Sequence, residues 1–409
     1  MRIPPRWLGS LLIITVLEHA SLFGARLFAS YRTLELGGGA FEVGLVAAAY
    51  AFIALILAIP VGRYVDRFGP VWSITAGCAA LVLSCVSLGL VSSIPGLLVT
   101  NAALGLGQLL VAVGSHAMLA NQRPPEAREG RFGLYAAVAA AGQSIGPAVG
   151  GLLVAVGFAG AVSQFSIAFF ASAAFAAIAF AVALGLRYDG VRSTTRDGVT
   201  ARPESLRVIA RRPSVAAAML ASIGVVLSIE LMVAYLPILG EQRGFPVEQV
   251  ALLLAIRAAA SVVARLFLGH LVTRWGAGTL LSRSLWVPAV LIASVPFIPE
   301  VIMLALVMAL LGLALGIGQP LSIVWISAAV PPDLRGTAAG MRLVGNRLGQ
   351  LAAPPLLGYA GAALGVGAIF LVLGGILGLG AIAVRVSSIM HTGIRWTAES
   401  ESPTTPNQQ

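Results

Sequence analysis

Scanned for charge alone, the chain breaks into long apolar runs separated by short arginine-bearing segments. Residues 68–122 and 132–186 hold no charged side chain. Each is long enough for two helices of the roughly 20 residues that cross a bilayer. Breakers mark the turns within them: Ser92-Ser93-Ile94-Pro95-Gly96 in the first and the stretch 157–163 in the second. With the runs at 7–29 and 43–61, the first part of the chain predicts six spans. A second set follows at 214–239, 247–268, 279–297, 301–326, 337–360 and 362–384. The last boundary is placed without a charge to mark it, because 348–384 is uncharged. The pattern predicts an all-α polytopic membrane protein of twelve transmembrane helices.

The two sets repeat one another. Gly142, Gln143, Pro147 and Gly151 return as Gly349, Gln350, Pro354 and Gly358, each 207 residues on (349 − 142 = 207). At the same offset Pro124, Pro125, Arg128 and Gly133 answer Pro331, Pro332, Arg335 and Gly340. Gly62, Arg67 and Gly69 answer Gly269, Arg274 and Gly276. Three clusters at one spacing imply a duplication, which in membrane carriers gives two parallel halves related by an axis along the membrane normal. The expected organisation is an N-terminal six-helix bundle (1–186), a hydrophilic linker (187–213), a C-terminal six-helix bundle (214–386) and a polar tail (387–409).

Composition agrees. The chain is 58% hydrophobic and 10% charged, well under the roughly 25% charge of soluble domains. A net charge of +10 raises nucleic acid as a partner, but every basic residue is arginine and most lie in loops on one side of the predicted membrane. Seven fall in the linker (187, 192, 196, 202, 207, 211, 212), while the opposite loops hold mainly Arg32 and Arg243 among several glutamates. That is the positive-inside bias, and it predicts cytoplasmic termini in an inner (plasma) membrane rather than nucleic-acid binding. Cys78 and Cys85, seven residues apart on one apolar run, are ~10 Å apart along a helix and out of disulfide reach. Arg2 and Arg6 precede a run that resembles a signal peptide, yet Glu18, His19 and Arg26 interrupt it. It reads as an uncleaved first span.

Two motifs carry a family resemblance. Gly62-Arg63-Tyr64-Val65-Asp66-Arg67-Phe68-Gly69 joins the second and third spans, and it resembles the signature loop of the major facilitator superfamily. In the second half Gly269, Arg274 and Gly276 keep the pattern, but Thr273 stands where Asp66 does. Gly142-Gln143-Ser144-Ile145-Gly146-Pro147-Ala148-Val149-Gly150-Gly151 is similar to the fifth-helix motif of that superfamily's twelve-helix drug/proton antiporters. The resemblance implies two pseudo-symmetric bundles that rock about a central site. It implies a conformational gate at Gly62, Asp66, Arg67, Gly69, Gly269, Arg274 and Gly276, with Asp66 pairing an arginine such as Arg128 or Arg131 in one state. It also implies an antiporter helix carrying Gly142, Gly146, Pro147, Gly150 and Gly151. Asn101 on the fourth span departs from the family's usual arginine.

Ionisable groups at membrane depth mark function, because charge in hydrocarbon is costly. Glu18 lies 11 residues into the first span, ~16 Å deep at helical rise. His19 adjoins it and Arg26 follows. Glu230 and Arg257 stand at similar depth in the seventh and eighth spans and are expected to pair; Arg347 lies mid-span in the eleventh. Gln108, Gln143 and Gln319 are further candidates for contact with substrate. With no phosphate-cradling loop and no paired metal ligands, neither ATP nor a metal or other cofactor is expected, and nothing forms a catalytic site. The expected function is secondary active transport of a small organic solute by a functional monomer in lipid, with protons coupled to efflux. The alternative is an importer, by proton symport or facilitated uptake, of a small organic anion or vitamin-like aromatic compound. An intramembrane enzyme is the remote third.

Overall fold

The computed structural model describes residues 6–120, 126–157, 163–188, 213–275, 277–328, 330 and 334–390. Most of the linker expected at 187–213, and the tail from 391 onward, lie outside the described residues. Thirteen α-helices run α1 Arg6–Glu35, α2 Ala40–Phe68, α3 Pro70–Leu90, α4 Ile94–Ala120, α5 Glu126–Val156, α6 Ser166–Leu184, α7 Pro213–Gln242, α8 Val247–Leu266, α9 Leu268–Trp275, α10 Ala277–Ser294, α11 Val301–Ala328, α12 Arg335–Leu364 and α13 Val366–Met390. In hydrocarbon every backbone donor and acceptor must be satisfied within its own segment, and helices do this.

Eleven of these helices are long and apolar enough to span a membrane. The twelfth span is α12, 30 residues long, whose apolar run is interrupted by Arg342, Asn346 and Arg347. The expected turn at 361 is displaced: α12 continues to Leu364 and ends on Gly365, whose φ of 88° favours glycine. The copies also differ at one joint. α2 runs unbroken through Pro60, whereas its counterpart stops at Phe267 and resumes as the short α9.

The duplication is visible in the packing. Within the first half α3 packs on α4 and α6, α1 on α5 and α6, and α2 on α4. Their counterparts make the same pairs: α10 with α11 and α13, α7 with α12 and α13, and α8 with α11. The halves meet through α2 with α12, α5 with α8, and α1 with α7. At residue level, a Cβ on Gly105 would overlap the Tyr50 carbonyl oxygen, and one on Gly312 would overlap that of Arg257. Both glycine and carbonyl are offset by 207 (312 − 105; 257 − 50). The two outer-side arginines of the sequence are explained in the same way. Arg32, ending α1, donates to the Val91 carbonyl after α3 at 3.0 and 3.3 Å. Arg243, just after α7, donates to the carbonyls of Val295, Pro296 and Ile298 after α10. Each ties the first helix of its half to the orphaned carbonyls ending the third.

The halves close on one side only. In α2 the buried positions between Val43 and Ala51 fall on both faces; beyond Phe52 only Ala54, Val61 and Val65 remain buried, and they pack with Leu109 of α4. α8 repeats this, with seven buried positions from Val250 to Ala258 and afterwards only Ser261 and Ala264. At the closed end Gly44 abuts Pro354, Gly358 abuts Ala40, and Gly151 abuts Ala251. The bundles therefore touch away from the chain termini and diverge toward them.

The shared crossings make a direct test. Gly105→Ala and Gly312→Ala each force a methyl into a backbone carbonyl and are expected to lower stability by about 1–3 kcal/mol. Gly375→Ala, where a Cβ meets open space, should be neutral or slightly stabilising. Thermal unfolding in detergent distinguishes them.

Candidate functional site

Where α1 faces α7 the two halves are joined by charge. Arg26 Nη2 pairs with Glu230 Oε2, and the two side chains are 4% and 11% exposed. The expected partner of Glu230 was Arg257; the structure gives Arg26 instead, because helix packing sets α1 directly against α7. The other carboxylate oxygen, Glu230 Oε1, accepts from Gln350 Nε2 at 3.1 Å. Arg347 then donates to Gln350 Oε1 and to Gln108 Oε1, both at 3.1 Å. The chain of contacts thus crosses from α1 to α7 to α12 and back to α4. Tyr50 supports it from α2, its ring 4.3 Å from the Arg26 guanidinium carbon, a cation–π contact that needs no second charge.

A second cluster lies lower on α1. Glu18 is 1% exposed, and the His19 Nδ1 nitrogen contacts its Oε2. The carboxylate oxygens accept no well-formed hydrogen bond, so the His19 contact is one of charge more than of aligned bonding. Nδ1 also lies 3.0 Å from the Thr15 carbonyl, and the His19 ring stacks on Phe23.

The antiporter-motif helix packs against that same stretch of α1. A Cβ on Gly142 would overlap the Val16 carbonyl and His19 Cβ, one on Gly146 the Ala20 carbonyl, and one on Gly150 the Phe28 ring. Pro147 is buried within α5 without ending it. On the other face Gly151 and Ser144 meet α8, with Ser144 Oγ donating to the Ala255 carbonyl at 2.8 Å. Gln143 sits half-buried between these contacts.

Of the residues expected to form a gate, Gly62, Asp66 and Arg67 lie on the last turns of α2, and Gly69 turns the chain with a φ of 94°. Asp66 is exposed and forms no ion pair among the described residues. Arg67 leans over Phe68. The Arg128 side chain lies outside what is described, as does Gly276, while Gly269 and Arg274 are exposed on α9. Asn101 donates to the Val46 carbonyl at 2.5 Å and so ties α4 to α2.

Two arginines were missed. Arg265 donates to the Ala136 carbonyl and to Gln319 Oε1, the latter at 2.9 Å. Arg342 donates to Ser222 Oγ at 2.9 Å, beside the Asn346–Ser222 contact at 3.0 Å. Both fall inside expected spans, the same signal that singled out Arg257 and Arg347. Arg257 itself is 2% exposed, and its Nε has no acceptor.

Two mirrored six-helix bundles, open toward the termini and closed opposite, with ionisable side chains along the seam, define a polytopic membrane carrier. The chain belongs to the Major Facilitator Superfamily, whose family model matches residues 11–301 and 247–406. It is 30% identical over 146 residues to Multidrug resistance protein 1 of Bacillus subtilis (strain 168). That match covers 36% of this chain, and the chain spans only 35% of the relative's length. Solved structures share the fold across nearly the whole chain. A bacterial homolog of the human lysosomal transporter Spinster, inward-facing and unoccupied, is 17% identical with a TM-score of 0.76, covering 96% of this chain and 98% of that one. The nucleoside transporter NupG is 15% identical with a TM-score of 0.73, at 94% and 99% coverage. A POT family transporter in complex with 5-aminolevulinic acid is 15% identical with a TM-score of 0.75, at 94% and 96%.

The cross-half pair has a measurable signature. Arg26→Leu or Glu230→Leu alone strands a buried charge and should lower stability by about 3–5 kcal/mol. The double variant removes both charges and is expected to lose less than the sum of the singles, in a double-mutant cycle read by unfolding in detergent.

Proposed function

We propose that the chain is a proton-coupled exporter of a small organic solute, working as a functional monomer by alternating access in an inner (plasma) membrane with both termini cytoplasmic. One observation carries the reading: the intact antiporter-motif helix meshes with the stretch of α1 that holds Glu18, His19 and Arg26. A proton taken or lost there is felt directly by the helix that joins α1 to α8. The likeness to a multidrug resistance protein supports the same direction.

In this mechanism the state described is inward-facing, since the open side carries the termini. Glu18 is the coupling carboxyl. Buried with His19 as its one charged neighbour among the described contacts, it is assigned the coupled proton, loaded and unloaded as the surrounding cavity alternates between wet and closed. The Arg26–Glu230 pair is the tie that holds the outer side shut and must part for the outward-open state. Asp66 is the complementary latch on the cytoplasmic side, closing on an arginine when that side shuts. Uptake of a solute through the same site is the second reading. The arginines buried along the seam favour it, because multidrug exporters often present a more acidic cavity.

Substrate-induced proton release from purified protein at two pH values decides the coupling site. Glu18→Gln should abolish the release and gradient-driven transport while preserving binding and exchange; Glu230→Gln should keep the release and lower expression or affinity. The reverse result transfers the role to Glu230. Asp66→Asn should bias the carrier inward-open, slowing turnover several-fold without reducing insertion, as read by cysteine accessibility at both ends of α2. Unchanged accessibility and turnover would remove the latch.

A further inference from the structure

The charges inside the spans do not balance. Among the described residues of the spans that are not exposed, arginines (among them 26, 257, 265, 342 and 347) outnumber glutamates (among them Glu18, Glu230 and Glu248). Four of those five arginines have hydrogen-bonding partners of their own. Arg26 has Glu230, Arg265 has Gln319 and the Ala136 carbonyl, Arg342 has Ser222, and Arg347 has Gln108 and Gln350. Arg257 stands apart. It is 2% exposed and makes no side-chain hydrogen bond or ion pair among the described residues, whereas Arg265 and Arg342, whose Nε atoms also lack an acceptor, bond through their terminal nitrogens. Glu230, its expected partner, has both oxygens already engaged, by Arg26 and by Gln350.

The pseudo-symmetry gives Arg257 a place. It stands 207 residues after Tyr50, and the backbones match, each carbonyl pressed on the counterpart glycine of the neighbouring helix. Tyr50 holds the Arg26 guanidinium at the seam between halves. Arg257 occupies the corresponding position on α8, two residues from Ala255, whose carbonyl accepts the bond from Ser144 of α5. A guanidinium at the seam with no counter-charge from the protein is completed by a ligand that brings one, and arginine's planar fork suits carboxylate and phosphate oxygens.

We propose that the central seam binds a small organic anion, a carboxylate or a phosphate ester, and that Arg257 takes its negative group. This rests on reading the seam as the transport site, and it specifies the substrate class of that site. Arg265 and Arg342, nearer the open side, draw the anion inward by their charge.

The test uses the purified full chain in detergent at constant ionic strength. Benzoate, succinate and glycerol 3-phosphate are compared with their uncharged counterparts benzamide, succinamide and glycerol, with potassium chloride and with the cation tetraphenylphosphonium. At least one organic anion should raise the unfolding temperature saturably, and its uncharged counterpart and chloride should not. Arg257→Gln should weaken that anion at least tenfold, and Arg257→Lys, which keeps charge but loses the fork, should recover part of the loss. The charged-against-neutral comparison needs no variant, so it stands even if Arg257→Gln does not fold. Stabilisation by the neutral compounds or the cation in place of the anions overturns the anion assignment and leaves the carrier reading intact. Chloride acting as well as the organic anions overturns it too, as does unchanged affinity in a folded Arg257→Gln. Counterflow of the stabilising anion in proteoliposomes separates the two levels: an anion that binds but is not exchanged keeps the site and sinks the carrier.

Discussion

A guanidinium and a carboxylate removed from water must meet or be matched by something else, and the seam between the two bundles is organised by that requirement. Arg26 and Glu230 are far apart in the chain and come together only because the first helix of each half packs on the other. Gln350, Arg347 and Gln108 extend the contact to α12 and α4, and Tyr50 lends the face of its ring from α2. Helices from both halves are thereby held against each other at one depth. The closed end lies beyond this layer, where Gly44, Gly151 and Gly358 admit backbone contact across the seam. Small residues bring the helices close, and the buried charges decide which helices they are.

The two halves share a backbone and differ in chemistry. Gly105 and Gly312 make the same crossing, and Arg32 and Arg243 tie the same helix ends. At the seam the equivalents part company: Phe23 answers Glu230, Tyr50 answers Arg257 and Tyr135 answers Arg342, each 207 residues apart. The first half brings Arg26 among aromatic rings to the seam, and the second brings Glu230 together with Arg257, Arg342 and Arg347. A symmetric scaffold therefore holds a chemically asymmetric layer between its halves.

The repeat, the run lengths and the arginine distribution were legible in the chain because each follows from the solvent. Hydrocarbon demands uncharged helical segments of a set length, and duplication leaves its period in the glycines and prolines that packing needs. Hence twelve spans, two related halves and the motif glycines on α5 could be read from the residues. So could the depth of Glu18, Glu230, Arg257 and Arg347, since depth is distance along one helix. What could not be read is which helix faces which. Glu230 and Arg257 stand at matching depth, but depth says nothing of azimuth, and packing α1 on α7 delivered Arg26 to Glu230 while leaving Arg257 without a counter-charge. The purpose of Arg32 and Arg243, the break at Phe267 and the turn at Gly365 are likewise settled between helices and not within one. Period and polarity are properties of a segment in its solvent; partnership is a property of the packed bundle, and only the tertiary structure decides it.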